Sequence, residues 1–167
     1  MTPPSPTLAA TDELVITRVF DAPRELVFQV WTDPRHITAW WGPQHFTSPT
    51  AQVDLRVGGK YLFCMRSPEG QDYWSTGVYK EIVAPERLVY TDSFADANGN
   101  AVPASHYGMG DDWPPALEIT VTFEALEPRK TRLTVFQTGV PAGQMRELSI
   151  AGMNQSLDKV AAYLATL

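Results

Sequence analysis

The spacing of the prolines limits the length of every element that this chain can form. Its 14 prolines begin with three in the first six residues and end at Pro141, and the blocks between them are short. Proline breaks the interior of a helix and cannot donate a hydrogen bond within a sheet, so the proline-free blocks are the candidate elements. The final block, residues 142–167, is the one in which a long helix is predicted.

A strand and two short helices are predicted before residue 43. Residues 13–20 alternate loosely and are rich in β-branched side chains, which favours a strand. Pro23 is typical of a first helical residue, with Asp21 or Ala22 as the cap, and Asp33 followed by proline repeats that signal. The second helix is predicted to carry Ile37, Trp40 and Trp41 and to end at Gly42 and Pro43.

From residue 51 the apolar pattern changes to the period of two that is typical of strands. The clearest case is residues 117–124, where apolar residues alternate with threonine and glutamate, so one face is dry and the other wet. Tyr61, Phe63 and Met65 share one face of an earlier strand, and Cys64 on the other face is predicted to be a buried structural thiol. Strands are predicted at residues 51–57, 60–66, 73–83, 87–94, 117–124 and 132–138.

The last helix is predicted to pack against the sheet along one apolar stripe. That stripe consists of Ile150, Met153, Leu157, Val160, Ala161 and Leu164. The order of the elements predicts an α+β fold in which an antiparallel sheet faces the helices. Because a long helix cannot fill the whole concavity of a strongly curved sheet, we expect a cavity lined by apolar side chains between them.

Composition excludes several classes of protein. A single cysteine rules out a disulfide framework and paired-cysteine zinc or redox motifs. No run approaches the ~18 apolar residues of a membrane helix, and residues 1–12 lack the regions of a signal peptide. A length of 167 residues suits one domain. We therefore expect a cytoplasmic monomer or homodimer with a disordered tail at residues 1–12 and a single domain at residues 13–167.

Charge is distributed unevenly along the chain. The net charge of −6 argues against binding to a nucleic acid. Residues 88–128 contain no Lys or Arg but hold seven acids, namely Asp92, Asp96, Asp111, Asp112, Glu118, Glu124 and Glu127. These acids either occupy solvated faces or form an acidic rim that disfavours anionic ligands near one mouth of the fold.

Five segments, taken in order, resemble one superfamily. They are APRELVFQVWTDP at residues 22–34, AWWGP at 39–43, GGKYLFCMRSPEG at 58–70, TGVYKEIVAPERLVYTD at 76–92 and GMNQSLDKVAAYL at 152–164. Together they resemble the SRPBCC superfamily, also called START-like or helix-grip. More narrowly, they are similar to the group related to the C-terminal domain of the activator of heat-shock protein 90 ATPase. The resemblance covers residues 13–167.

The resemblance implies a helix-grip fold, in which a curved seven-stranded antiparallel sheet wraps around a long C-terminal helix and two short helices follow the first strand. The superfamily includes lipid carriers, hydrophobic-ligand receptors, aromatase/cyclase domains and ring-hydroxylase subunits, so the fold does not fix the function. The chain has Gly152-Met153 where members commonly have Gly-Trp, and its loop at residues 95–115 is longer and more acidic. Both differences are expected to reshape the mouth of the cavity.

Candidate site residues follow from the expected inner faces. The candidate ligand-binding residues are aromatic or long apolar side chains: Trp40, Trp41, Phe63, Met65, Trp74, Phe123, Met153 and Leu157. The catalytic candidates are His45, His106 and Asp112, which could act as general acid or base if they reach the cavity. The histidines lack metal-ligand spacing, so neither a metal nor a cofactor is expected.

Three functions are compatible with these observations. The first is binding of a small hydrophobic or aromatic molecule in the central cavity, without membrane insertion. The second is a cyclase- or hydrolase-like enzyme of polyketide cyclase/dehydratase type, which needs a titratable side chain in the same cavity. The third is a stress-response protein that acts on a chaperone through its surface, although the chain lacks the separate N-terminal domain that the eukaryotic activators use.

Overall fold

The structure, a computed structural model, describes residues 13–109 and 113–167, so the predicted tail at residues 1–12 lies outside the described residues. The elements follow in the order β1 (Leu14–Phe20), α1 (Arg24–Thr32), α2 (Pro34–Ile37), β2 (Ala51–Val53), β3 (Lys60–Arg66), β4 (Asp72–Val83), β5 (Arg87–Ala95), a 3-10 helix (Ala104–Tyr107), β6 (Leu117–Glu127), β7 (Lys130–Thr138) and α3 (Gln144–Leu164).

One antiparallel sheet contains all seven strands in the order β1-β7-β6-β5-β4-β3-β2. The register shifts between Tyr79 and Glu81 on β4 and between Ala125 and Glu127 on β6. Such shifts bend and twist a strand, which helps the sheet to curve around the helices. The α+β fold with a curved seven-stranded sheet and a long C-terminal helix is thereby confirmed.

The two short helices begin at prolines, but in different ways. Pro34 is the first residue of α2, and the Asp33 carboxylate accepts a hydrogen bond from the Arg35 amide at 2.9 Å, as the sequence predicts. Pro23 instead is the cap of α1, because its backbone is extended while its carbonyl already accepts the amides of Leu26 and Val27. Helix α1 therefore begins one residue later than predicted.

Helix α2 ends at Ile37, before the two tryptophans that were predicted to lie on it. The amides of Trp40 and Trp41 still donate to the Ile37 carbonyl, at 3.1 and 2.9 Å, so they occupy a turn that continues from the helix. Gly42 then adopts a φ of 104°, where a Cβ would lie 3.1 Å from the Cβ of Phe46. Glycine is the residue that allows the chain to reverse here.

The region between β2 and β3 is a tight turn rather than a continued strand. The prediction of a strand at residues 51–57 is too long, because β2 ends at Val53. The Gly59 amide donates to the Arg56 carbonyl at 2.8 Å, and a Cβ on Gly59 would lie 2.1 Å from the Asp54 carbonyl oxygen. The chain therefore turns at Gly58 and Gly59 before β3 begins.

Helix α3 packs against the sheet through its C-terminal half. Its buried residues are Ser156, Leu157, Val160 and Leu164, all in that half. Ile150 and Met153 are only partly buried, and Ala161 is exposed, which corrects its place in the predicted stripe. The buried face thus contains Ser156 and not Ala161, and it is confined to the C-terminal half of the helix.

Three side chains of α3 hold the turn at residues 42–46 against the helix. The Lys159 ammonium donates to the carbonyls of Gly42, Pro43 and Phe46, at 3.1, 3.4 and 3.1 Å. The Ser156 hydroxyl donates to the Gly42 carbonyl at 2.9 Å, and the Gln155 side chain accepts from the Gln44 amide. Burial lowers the pKa of Lys159 because it disfavours the charged ammonium group. The three carbonyl oxygens compensate by accepting its hydrogen bonds.

We expect Lys159→Met to lower the free energy of unfolding by about 2 kcal/mol, because three carbonyls each lose a hydrogen bond while the apolar stem is retained. Urea unfolding followed by circular dichroism measures the change. The control is Lys60→Met, at an exposed position on β3, which should change stability by less than about 0.5 kcal/mol. Equal effects of the two substitutions would contradict this role of Lys159.

Candidate functional site

A cavity of about 320 Å³ lies between the N-terminal half of α3 and the concave face of the sheet. Ligand pockets commonly range from ~300 to ~1,000 Å³, so this volume suits a small molecule. Met145, Leu148 and Met153 line it from the helix, and Trp40 and Trp41 from the turn after α2. The other lining residues are Gly42, Pro43, Met65, Ser75, Asp92, Ser93, Phe94, Met109, Trp113, Leu117, Gln137, Ser149, Gly152 and Ser156.

The wall of the cavity is mainly aromatic and thioether. Its aromatic members are Trp40, Trp41, Phe94 and Trp113, and its methionines are Met65, Met109, Met145 and Met153. Aromatic side chains supply flat apolar surface, and methionine adapts to irregular shapes through its three rotatable bonds. This wall can therefore enclose apolar molecules of differing outline.

The two adjacent tryptophans have different surroundings. Trp40 is almost fully buried, and its indole nitrogen donates to the Val30 carbonyl at 2.9 Å, whereas Trp41 is half-buried. Trp41 packs on Phe63, with 4.8 Å between ring centres. Behind Trp40 and Trp41 lies a second space of only about 10 Å³, which is about enough for one water molecule. The other residues that line it are Trp31, Ile37, Tyr61, Phe63, Tyr79 and Tyr90.

Asp92, on β5, is the ionisable group of the cavity wall among the described residues. Its Oδ1 atom accepts a hydrogen bond of 2.6 Å from the hydroxyl of Tyr61, which also lies 3.0 Å from the Thr91 carbonyl. Burial raises the pKa of Asp92 to about 6, although the Tyr61 hydrogen bond favours the charged form. Burial and the nearby carboxylate together raise the pKa of Tyr61 far above its ordinary value, so the phenol remains the donor.

Gly77, on β4, makes room for this pair. It stands opposite Tyr61 in the register of β3 and β4. A Cβ at this position would lie 1.8 Å from the Thr91 carbonyl oxygen and 2.7 Å from Cε2 of Tyr61. Because the glycine has no side chain, the tyrosine ring can cross β4 and reach Asp92 on β5.

The structure brings together half of the predicted ligand-binding residues. Trp40, Trp41, Met65 and Met153 line the cavity, and Phe63 lies one layer behind, against Trp41. The other three predicted residues lie elsewhere.

Trp74 is on the opposite face of the sheet, because it pairs with Cys64 while its neighbour Ser75 faces the cavity. Phe123 packs beneath α1, 5.2 Å from Phe28, and Leu157 is fully buried where α3 meets the sheet. Cys64 is buried, as predicted, and burial raises its pKa to about 11.

The two predicted catalytic histidines lie outside the cavity wall. His45 is exposed in the turn after Pro43, and His106 is exposed on the 3-10 helix, with its ring against Tyr107. Neither of these histidines lines the cavity. Asp112 lies outside the described residues.

Sequence reasoning missed Asp92 and Gln137 as lining residues, although the strand pattern carries a signal for both. On β5 the inward positions are Leu88, Tyr90 and Asp92, and on β7 Gln137 follows Leu133 and Val135 at the same spacing. A polar residue on an apolar face is expected to meet either a partner or a cavity.

Part of the predicted loop at residues 95–115 is attached to the sheet. The Tyr107 hydroxyl donates to the Ala95 carbonyl and accepts from the Trp74 amide at 3.1 Å. A bridge joins Ala95 to Ala101, and the Asp96 carboxylate accepts the Asn98 and Asn100 amides. Met109 and Trp113, on either side of the three residues that are not described, both line the cavity.

A family model described as "Activator of Hsp90 ATPase homolog 1-like protein" matches residues 21–165. The chain belongs to this family. The match spans every element from α1 to α3, and all the residues that line the cavity lie within the matched range. None of the curated proteins compared with the chain matches it.

Solved structures share the fold. A protein from Chromobacterium violaceum is 30% identical, with a TM-score of 0.72, and the match covers 92% of this chain and 96% of that chain. A protein from Arthrobacter aurescens is 29% identical, with a TM-score of 0.76 and coverage of 95% and 89%. The protein of Silicibacter pomeroyi that is titled AHSA1 is 23% identical, with a TM-score of 0.73 and coverage of 92% and 98%, which is a likeness of fold.

Residues 13–109 and 113–167 contain neither a metal-ligand cluster nor a membrane-spanning helix. Over these ranges, no three His, Cys, Asp or Glu side chains come close enough together to hold a metal ion. In the same residues, no helix has the length and apolar character required to span a membrane.

The raised pKa of Asp92 predicts a pH-dependent stability. Because the folded protein holds this proton up to about pH 6, stability from the group is present at low pH and is lost as the pH rises. We expect the free energy of unfolding of Asp92→Asn, minus that of the unmodified protein, to rise by about 2 kcal/mol from about pH 4 to about pH 7. Urea unfolding at several pH values measures it.

Asp96→Asn is the matched control for this measurement. Hydrogen bonds from the Asn100 amide and side chain and from the Asn98 amide lower the pKa of Asp96, so its contribution to stability is gained as the pH rises. The corresponding difference for Asp96→Asn should therefore fall with pH. A difference for Asp92→Asn that does not vary with pH would contradict the raised pKa.

Proposed function

We propose that the chain binds a small hydrophobic or aromatic molecule in the cavity between the sheet and α3. The observation that carries the proposal is the wall itself, with four aromatic rings and four methionines around about 320 Å³. A filled core of this composition would be ordinary, but here these side chains border open volume. Burial of an apolar ligand against them would contribute roughly 25 cal/mol per Å² of apolar surface.

The position of α3 supports the same proposal. Its C-terminal half is fixed by Leu157, Val160 and Leu164, while Met145, Leu148 and Met153 on the other half face the cavity. Leu148 is 59% exposed, so it lies where the cavity meets solvent. This arrangement gives a small molecule a route of entry that does not require the core to open.

Prodan, a neutral naphthalene dye whose emission depends on its surroundings, tests the proposal. We expect a blue-shifted emission on binding and displacement of the dye by other small apolar compounds. Gly152 offers a direct block, because it lines the cavity and a Cβ there would meet only Pro43, at 3.9 Å. Gly152→Phe should fill the cavity and weaken prodan binding by about tenfold or more.

Gly152→Ala is the matched control at the same position. Its methyl group fits without a clash, so dye binding should be retained, and the helix should gain about 1 kcal/mol of stability. Circular dichroism and thermal unfolding verify that both variants fold. Equal dye binding by the Phe and Ala variants would reject the cavity as the binding site.

A second candidate, a proton-transfer enzyme of cyclase type, is favoured by one observation, which is Asp92 in the cavity wall. A carboxyl group with a pKa of about 6 is suited to act as an acid or a base near neutral pH. Chromatography and mass spectrometry of a co-purified molecule, before and after incubation with the protein, separate the two functions. A binding protein returns the molecule unchanged, and an enzyme returns a product.

A further inference from the structure

We propose that the cavity selects molecules that carry a protonated amine on an apolar, preferably aromatic, body, with the Asp92 carboxylate as the ion-pairing group. This inference rests on the proposed function and names the class of ligand for the same site. Three features of the described wall carry it: its charge, the free side of the carboxyl group, and the aromatic rings.

The charge of the wall has one sign. Among the described residues that line the cavity, Asp92 is the one charged side chain, and none is Lys, Arg or His. A carboxylate enclosed by apolar groups is unfavourable unless a cation or several donors compensate it. A ligand ammonium group supplies that compensation, whereas a ligand carboxylate or phosphate would place two negative charges together. The net charge of −6 also attracts cations rather than anions.

The carboxyl group has acceptor capacity left for a ligand. An ionised carboxylate offers about four lone-pair sites. Among the described residues, the Tyr61 hydroxyl is its one hydrogen-bond donor, and that bond goes to Oδ1. Gly77 leaves room for the Tyr61 ring behind Asp92. The tyrosine therefore donates to the carboxylate from the side of the sheet and leaves the cavity side open.

The rest of the wall also suits a cation. The faces of aromatic rings carry partial negative charge and attract ammonium groups, most strongly for tryptophan. Trp40 and Trp41 stand edge to face, with 5.6 Å between ring centres, and Trp113 borders the same cavity. An aromatic ligand can therefore pack on these rings while its amine reaches towards Asp92.

Protonation of Asp92 should control the affinity for such a ligand. Among the described residues, the ionisable groups that interact with Asp92 are the phenols of Tyr61 on β3 and Tyr90 on β5, and Tyr79 on β4 packs on both rings. Burial raises the pKa of all three phenols. Strand β6 contributes Leu117, β7 contributes Gln137, and the lining residues of α3 are Met, Leu, Ser and Gly. Of these described groups, Asp92 is thus the one that changes charge near pH 6. Affinity for an amine should fall as the pH drops below that value, and affinity for a neutral ligand should not.

Three indoles of similar size test the inference at neutral pH by isothermal titration calorimetry. They are tryptamine, which is a cation, 3-propylindole, which is neutral, and indole-3-propionate, which is an anion. We expect tryptamine to bind about tenfold more tightly than 3-propylindole, and the anion to bind most weakly. This order is measured on the unmodified protein, so it does not depend on the folding of any variant.

Asp92→Asn then assigns the preference to one residue. It should weaken tryptamine binding by about tenfold and change 3-propylindole binding by less than about threefold. The matched control is Glu124→Gln, which removes one negative charge from an exposed position on β6 and should leave both affinities unchanged.

The outcomes separate this inference from the proposed function. If prodan does not bind, the proposed function and the inference both fail. If prodan binds but the three indoles bind equally, the anion binds best, or none of them binds, the inference fails and the proposed function stands. A tryptamine preference that Asp92→Asn leaves intact also overturns the inference.

Discussion

Helix α3 buries side chains against the sheet only through its C-terminal half, and the form of the interior depends on this. Leu157, Val160 and Leu164 are buried against the sheet, and Lys159 ties the turn at residues 42–46 to the same half of the helix. The sheet curves away from the other half, whose Met145 and Met153 meet open volume. A helix and a curved sheet can pack closely over a limited length only, and the cavity lies where this close packing ends.

The carboxyl group of Asp92 is held in this apolar interior by its hydrogen bond from Tyr61 and by the space that Gly77 leaves. Gly77 lacks the Cβ that would collide with Thr91, and Tyr61 uses that space to reach Asp92. The ring of Tyr61 stacks on Phe63, with 4.4 Å between centres, and Phe63 in turn packs on Trp41 at the cavity. The carboxyl group and the aromatic wall are therefore positioned by the same layer of side chains.

Several elements could be predicted because their signals are local. The Asp33–Pro34 start of α2, the alternation of β6 and the proline-free stretch that forms α3 all depend on neighbouring residues, and the structure contains each of them. Errors occurred where local signals were incomplete. Strand β2 ends early because the turn at Gly58 and Gly59 packs against Tyr79 on β4, and that strand is distant in the sequence.

The residues of the site also divide into those with a local sequence signal and those that depend on distant contacts. The period of two placed Phe63 and Met65 on the inner face, and adjacent aromatic residues indicated the wall at Trp40 and Trp41. Asp92 continues the inward alternation of Leu88 and Tyr90, but the alternation alone does not show whether such an acid meets a partner or a cavity. The imidazoles of His45 and His106 suit proton transfer, but the folding of their segments leaves both side chains in solvent.

By itself, the sequence determined the type and order of the elements and the apolar character of the interior, because periodicity and proline spacing act within one element. Only the tertiary structure decided which inward residues became core and which became cavity wall. That choice depends on the curvature of the sheet and on where α3 touches it, and both arise from contacts between distant segments. For the same reason, Phe123 and Leu157 are core, whereas Asp92 and Met153 border the cavity.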